Sequence, residues 1–160
     1  LPLWSSAEAC QETVREFLPD ADLVKLSDEE CFFVTGKHSI LDAADWLFEQ
    51  GCKMVLYSMG KEGAMILTPH FSSHVENPEV RVKDTTGAGD AIIGAYLYCL
   101  AKNHITVSQL ADCLPEQVQE WLTFAVYYAN YSITKSGAIA SYPDYTTFVK
   151  WMQEKRKKAH

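Results

Sequence analysis

Strand-like and helix-like segments alternate along this chain of 160 residues, and the alternation restricts the folds that it can adopt. Apolar residues at helical spacing predict helices at residues 6–17, 27–34, 39–50, 90–101, 107–111, 116–134 and 145–155. Apolar and β-branched runs predict strands at 23–26, 53–57 and 64–67, with two more near 71–75 and 80–82. This order favours one α/β sandwich in which helices cover a mainly parallel sheet.

The composition fits a single globular domain that binds neither nucleic acid nor membrane. Hydrophobic residues make up 48% of the chain, enough for one sizeable core. The formal net charge of −7 argues against a general nucleic-acid binder, because affinity for phosphate backbones comes mainly from basic patches. The longest apolar run, residues 91–101, is shorter than the roughly 18–20 residues of a membrane span. Scattered cysteines without ligand or disulfide spacing favour a reduced, cytoplasmic setting.

The segment Asp84-Thr85-Thr86-Gly87-Ala88-Gly89-Asp90, called here the glycine loop, joins a predicted strand to an apolar helix. The first backbone N–H groups of a helix have no partner within it, and the helix dipole favours negative charge there. Gly87 and Gly89 allow positive φ angles and close approach of a ligand. The loop therefore predicts an anion site, and phosphate is the anion that such sites commonly bind.

Asp90 admits two interpretations. A carboxylate beside a bound phosphate is electrostatically unfavourable, so its presence suggests a general base that accepts a proton from an attacking hydroxyl. Alternatively, Asp90 only caps the helix and the glycines only form the turn. Two familiar phosphate loops are excluded, because GxxxxGK[ST] does not occur here and the dinucleotide fingerprint would need glycine where Ile92 stands.

The glycine loop resembles the signature D-T-x-G/A-A-G-D of the ribokinase-like carbohydrate kinases. Four further segments are similar to that family and follow its order. Residues 25–30 resemble the N-x-x-E motif with Ser in place of Asn, and residues 58–63 resemble the T-x-G-x-x-G turn with Ser in place of Thr. Residues 132–138 resemble the segment that closes the nucleotide and cation sites. Residues 1–4 resemble the stretch that follows D-x-N-x-R in bacterial-type fructokinases.

The resemblance implies a Rossmann-like three-layer sandwich that lacks the N-terminal strands and the lid of these kinases. Residues 1–160 would be the C-terminal, nucleotide-binding half of the kinase domain. The implied activity is ATP-dependent phosphorylation of a sugar primary hydroxyl, with fructose favoured and with Mg²⁺ and K⁺ as cofactors. The chain alone is expected to be inactive. Because a truncated sheet has an uncovered edge, it is also expected to self-associate or to pair with the N-terminal half.

Two alternatives remain open at this point. One is a kinase of the same kind that acts on another sugar, such as ribose or 2-keto-3-deoxygluconate. The other is a non-catalytic fragment that binds a nucleotide or pairs with another chain. The intact glycine loop with its aspartate favours catalysis, whereas the absence of a sugar-binding half favours the fragment.

The resemblance also implies site residues. Asp90 would be the catalytic base, and Gly87, Ala88 and Gly89 would form the anion hole. Glu30 would bind Mg²⁺, although Ser27 and Glu30 also match a helix capping box. The implied nucleotide residues are Ser58, Gly60, Gly63, Asn130 and Gly137, and the implied K⁺ ligands are Asp84, Thr86, Ser132, Lys135, Gly137 and Ser141. A plain hairpin turn, a buried structural Asn130 and a turn role for Asp84 are the alternatives.

Overall fold

A computed structural model describes residues 3–158, so part of the opening segment that resembles fructokinases, Leu1 and Pro2, lies outside the described residues. The helices are α1 (Ala7–Phe17), α2 (Asp28–Thr35), α3 (Ile40–Glu49), α4 (Ala88–Lys102), α5 (Pro115–Ser132) and α6 (Tyr145–Lys158). The strands are β1 (Leu23–Ser27), β2 (Met54–Ser58), β3 (Ala64–Leu67) and β4 (Ser72–Val75). Short 3₁₀ turns occur at Leu18–Asp20, Gly60–Glu62, Val107–Asp112 and Ile139–Ser141.

Serine side chains begin the first three helices, as their sequence positions indicate. The Ser6 hydroxyl accepts a hydrogen bond from the Ala9 N–H, and the Ser39 hydroxyl accepts one from the Asp42 N–H. Each bond satisfies one backbone donor that the first helical turn leaves without a partner. The start of these helices is therefore determined by local hydrogen bonds.

The four strands form one sheet in the order β1-β2-β3-β4. β1 and β2 are parallel, whereas β2–β3 and β3–β4 are antiparallel. The expectation of a mainly parallel sheet is thus wrong for the described strands, because the short connections after β2 and β3 can join only antiparallel neighbours. The predicted hairpin of β2 and β3 is confirmed.

The strand predicted near residues 80–82 is absent from the described structure. Immediately after it, the N–H groups of Lys83 and Asp84 both donate to the carbonyl oxygen of Ile133, at 2.8 and 3.2 Å. The backbone here is held by the end of α5 instead of by a neighbouring strand. This contact brings the glycine loop beside the segment that follows α5.

Buried side chains lie on both faces of the sheet. Met54 and Leu56 pack with Tyr96 of α4 and Trp121 of α5. Val55, which points to the opposite face, packs with the helices α2 and α3. Because alternate residues of a strand face opposite sides, β2 is covered on both faces, which gives the predicted three layers.

β1 is the outermost strand on one side of the sheet. Within residues 3–158 its hydrogen-bonded strand neighbour is β2. An edge of this kind presents backbone donors and acceptors that can pair with a further strand. Among the described residues, no helix has both the length and the apolar character that crossing a membrane requires.

Candidate active site

The carboxyl ends of β1 and β2 lie together because the two strands are parallel. Ser27 is in register with Ser58, and the Ser58 hydroxyl donates to the Leu26 carbonyl at 3.4 Å. Glu30 follows β1 directly, and the turn of residues 58–63 follows β2. The fold thus places the predicted metal ligand and the predicted nucleotide turn together at the carboxyl ends of these strands.

Glu30 forms the capping box that the sequence indicates. Its Oε2 accepts the Ser27 backbone N–H at 2.8 Å, while its own N–H donates to the Ser27 hydroxyl at 3.4 Å. Lys25 Nζ lies 3.2 Å from the same Oε2. Burial raises the pKa of Glu30, but the Ser27 N–H and the Lys25 charge outweigh it, and the pKa is lowered overall. Oε1 has no hydrogen-bond donor within residues 3–158, so one carboxylate oxygen is available for a metal or its water.

The start of α4 carries backbone donors without acceptors. Gly87 precedes the helix with a φ of 79°, as predicted for that position. The predicted donor set needs one correction, because the Ala88 N–H already donates to the Thr85 carbonyl at 3.1 Å. The N–H groups of Gly87, Gly89 and Asp90 have no acceptor in the part of the chain that the structure describes. These three groups are suited to an anion.

Asp90 occupies the third position of α4, and its side chain is exposed. The helix has no side-chain cap, and the Asp90 carboxylate accepts no hydrogen bond from residues 3–158. The interpretation of Asp90 as a helix cap is therefore wrong in this structure. Its carboxylate stands beside the unpaired N–H groups with both oxygens available.

Lys25 brings a positive charge to the same place, which the sequence motifs did not indicate. A Cβ atom built on Gly89 would lie 3.1 Å from Lys25 Nζ. Gly89 has a negative φ, contrary to expectation, and its missing side chain instead leaves room for the lysine. Lys25 thus lies between the Glu30 carboxylate and the glycine loop. The sequence pattern that could have indicated this position of Lys25 is strand alternation, which puts Lys25 on the same face of β1 as Ser27.

Asp84 joins the glycine loop to residues 132–141. Its Oδ1 accepts the Thr86 N–H at 3.0 Å, and its Oδ2 accepts the Gly137 N–H at 2.9 Å. The Gly137 N–H and then the Thr86 N–H lower the pKa of Asp84 to about 2. Three of the residues predicted for the K⁺ site, Asp84, Thr86 and Gly137, are therefore in direct contact.

The other predicted K⁺ residues use their side chains locally. The hydroxyls of Ser132 and Ser141 are buried and donate to the carbonyls of Ala129 and Ala138, at 2.7 and 2.6 Å. Lys135 Nζ lies over the Tyr131 ring, 4.7 Å from its centroid. A cation at this segment would therefore be bound through backbone carbonyls. Within residues 3–158, no group of three or more His, Cys, Asp or Glu side chains is placed to hold a metal ion.

Asn77 connects the 58–63 turn with α5. Its Nδ2 donates to the Gly60 carbonyl at 2.8 Å, and its Oδ1 accepts Asn130 Nδ2 at 2.7 Å. Asn130 also donates to Val126 and is buried, as the structural alternative expected. No hydrogen bond among the described residues joins this turn directly to the glycine loop. Asn77 belongs to none of the motifs that the sequence showed.

Solved carbohydrate kinases share this arrangement of elements. A fructokinase from Xylella fastidiosa with bound ATP superposes with a TM-score of 0.86 at 26% identity over 95% of this chain and 48% of that chain. A double mutant of the fructokinase from Vibrio cholerae O395, with fructose, ADP and potassium ion bound, superposes with a TM-score of 0.80 at 28% identity over 94% of this chain and 47% of that chain. Aminoimidazole riboside kinase from Salmonella enterica has a TM-score of 0.75 at 26% identity over 93% of this chain and 48% of that chain. The fold is therefore ribokinase-like, and it matches about half of each structure.

Curated relatives and a family model agree with the structural comparison. Fructokinase-2 of Solanum habrochaites is 33% identical over 144 residues, which cover 89% of this chain and 42% of the relative. The chain thus spans less than half the length of this relative. The model of the pfkB family carbohydrate kinases matches residues 1–145. The chain, with its glycine loop, exposed Asp90 and ribokinase-like fold, belongs to the pfkB family of carbohydrate kinases.

Proposed function

We propose that this chain supplies the ATP site, the anion hole and the catalytic base of an ATP-dependent sugar kinase. The observation that carries the proposal is the Asp90 carboxylate, which has no partner within residues 3–158 and stands beside backbone donors that also have none. A carboxylate so placed can accept a proton from a hydroxyl that attacks phosphorus. The reaction class is phosphoryl transfer to an alcohol.

The glycine loop would stabilise the transferring phosphoryl group. Preorganised N–H donors act where negative charge develops in the transition state, and losing one typically costs about 3–4 kcal/mol of barrier. Gly87 and Gly89 contribute such donors, and Ala88 would contribute by exchanging its Thr85 partner for the phosphate. Lys25 adds a positive charge next to Gly89 and offsets the repulsion between Asp90 and the phosphates.

Glu30 would hold Mg²⁺ through its Oε1. Mg²⁺ is commonly bound by one or two carboxylates together with phosphate oxygens and waters, so a single protein carboxylate suits it better than a protein cage would. The ion, when bound with ATP, neutralises charge on the phosphates.

A monovalent cation would lie between the glycine loop and residues 132–141. We assign it to Asp84, Thr86, Ser132, Lys135, Gly137 and Ser141, with Asp84 as the charged ligand. The contact of Asp84 with Gly137 supports this assignment, because it holds the two segments together. The Vibrio cholerae fructokinase binds potassium, so K⁺ is the cation we propose.

The nucleotide would lie along Ser58, Gly60 and Gly63, with Asn130 and Gly137 on its other side. The Asn77 bridge supports this placement, since it holds the turn at a defined distance from α5. The positive φ angles of Gly60 and Gly63, 53° and 99°, form a turn whose backbone conformation residues with a side chain rarely adopt. This role for the turn is compatible with its being a hairpin.

Fructose is the substrate that we favour, because the relative from Solanum habrochaites and two of the solved structures are fructokinases. The similarity to aminoimidazole riboside kinase keeps ribosides and related sugars as the second choice. A non-catalytic role for the chain remains the contrasting hypothesis. It predicts that this chain, tested together with its proposed N-terminal half, binds ATP but phosphorylates no sugar in a panel.

Residues 1–160 are proposed to be the C-terminal half of the kinase domain, inactive alone. The edge of β1 supports pairing with the N-terminal half or with a second chain, since it offers backbone groups to another strand. The five free cysteines are all buried, which is compatible with the cytoplasmic setting that we propose. A chain that stays monomeric and stable by itself at high concentration would count against pairing.

The substitution Asp90→Asn in the intact protein, meaning this chain together with its proposed N-terminal half, tests the proposal. Asparagine keeps the size of the side chain but cannot act as the base, so turnover should fall by roughly 10²–10⁴-fold while ATP binding persists. Asp42→Asn is the matched control, because Asp42 is also exposed and also third in its helix. Near-normal turnover of Asp90→Asn, with ATP bound and the fold intact, would remove the base role.

A further inference from the structure

Tyr142 makes a contact with the glycine loop that no sequence motif indicated. Its phenolic O–H donates to the Gly87 carbonyl at 3.0 Å. The same carbonyl accepts the Ala91 N–H at 2.8 Å and so also closes the first turn of α4. One side chain from beyond residues 132–141 therefore holds the peptide at which the loop becomes a helix.

The packing around this bond is close. A Cβ atom built on Gly87 would lie 2.9 Å from the Tyr142 oxygen and 2.9 Å from Ala138 Cβ. Tyr142 and Asp90 line the same cavity of about 290 Å³, which is walled mainly by aromatic side chains. Gly87 therefore lies against Tyr142 and Ala138 with no room for a side chain.

We infer that Tyr142 is a positioning residue for phosphoryl transfer, which fixes the Gly87 peptide and thereby orients the N–H groups of Gly89 and Asp90 and the Asp90 side chain. This inference rests on the proposed function. The physical reason is that donors stabilise a transition state only when they are already aimed at the developing charge. Tyr142 follows Ser141 directly, so the bond also connects the proposed K⁺ segment to the anion hole.

Tyr142→Phe in the intact protein removes the hydroxyl and keeps the ring. We expect kcat to fall about 3- to 10-fold, the factor of one neutral hydrogen bond, with KM for ATP and sugar within about twofold. The amide of Ala91 should exchange its hydrogen faster by about the same factor, because its acceptor is less constrained. A general loss of stability would move KM and the exchange of many amides together instead.

Tyr128→Phe is the matched control. Tyr128 lines the same cavity and donates to a backbone carbonyl, that of Pro143 at 3.3 Å, but its hydroxyl makes no hydrogen bond with the glycine loop in the described structure. It should leave kcat and Ala91 exchange unchanged. Unaltered Ala91 exchange in Tyr142→Phe, or an equal effect of both substitutions, would overturn the inference. If the unmodified protein phosphorylates no sugar, the proposed function fails separately, and amide exchange alone decides the role of Tyr142.

Discussion

The carboxylate of Asp84 accepts the backbone N–H of Gly137 at 2.9 Å, and this bond joins two segments that lie 53 residues apart in the chain. The other carboxylate oxygen accepts the Thr86 N–H, so the charge of Asp84 is shared between the glycine loop and the segment after α5. Both segments contribute proposed site residues. Ionised Asp84 therefore contributes to holding the two segments together.

This contact predicts a specific pH dependence of stability. Backbone N–H groups lower the pKa of Asp84 from 3.8 to about 2, so the folded protein binds the proton more weakly than the unfolded chain does. The stabilisation is thus present above about pH 4 and is lost as the pH falls toward 2. Urea unfolding of the protein and of Asp84→Asn should differ by a constant amount from about pH 7 to 5, and by progressively less below about pH 4. A difference that does not change with pH would exclude this role.

Gly63 should be the least replaceable glycine of the 58–63 turn. A Cβ atom there would lie 2.0 Å from the Val75 carbonyl oxygen, and φ is 99°. We expect Gly63→Ala to lower the free energy of unfolding by about 3 kcal/mol or more, from the clash and the backbone strain together. Chemical denaturation measures this directly.

Gly36→Ala serves as the control for that measurement. Gly36 also has a positive φ, 72°, but nothing lies within 4 Å of a Cβ atom built on it. Gly36→Ala should therefore lower the free energy of unfolding only by the cost of a left-handed backbone conformation, about 1–2 kcal/mol. Equal losses in the two variants would mean that the Val75 backbone moves aside without penalty.

Lys25 is predicted to bind the phosphates of ATP. Replacing it by Met removes the charge beside Gly89, and the affinity for ATP should fall about 10- to 100-fold, in line with a hydrogen bond to a charged group. Lys53→Met is the matched control, because Lys53 is also partly buried and forms an ion pair, with Asp22 at 2.7 Å. This pair lies at the amino ends of β1 and β2, away from the glycine loop. Calorimetric titration with ATP distinguishes the two, and similar affinities would assign Lys25 to the Glu30 ion pair alone.

Several local features were predictable because they depend on residues close together in the chain. The capping serines Ser27 and Ser39 and the hairpin after β2 are examples. Each is determined by hydrogen bonds across three to five residues or by turn chemistry. The positive φ of Gly87 belongs to the same class.

The direction of the strands was not predictable in the same way. Apolar runs indicate a strand but not the neighbour with which it pairs, so the mainly parallel sheet and the strand near residues 80–82 were wrong. In the structure, the N–H groups of Lys83 and Asp84, which follow that segment, donate to the Ile133 carbonyl at the end of α5. Pairing depends on which elements the fold brings together.

The sequence by itself determined the segments to which we assign the chemistry, because each is a short motif with its own backbone geometry. They are the glycine loop with Asp90, the Glu30 helix start and the 58–63 turn. Only the tertiary structure decided how they are held together. Asn77 reaches Asn130 across 53 residues, and Tyr142 reaches Gly87 across 55. Such contacts leave no periodicity or spacing in the chain, since they exist only after packing of the sheet and helices has brought distant residues within hydrogen-bonding distance.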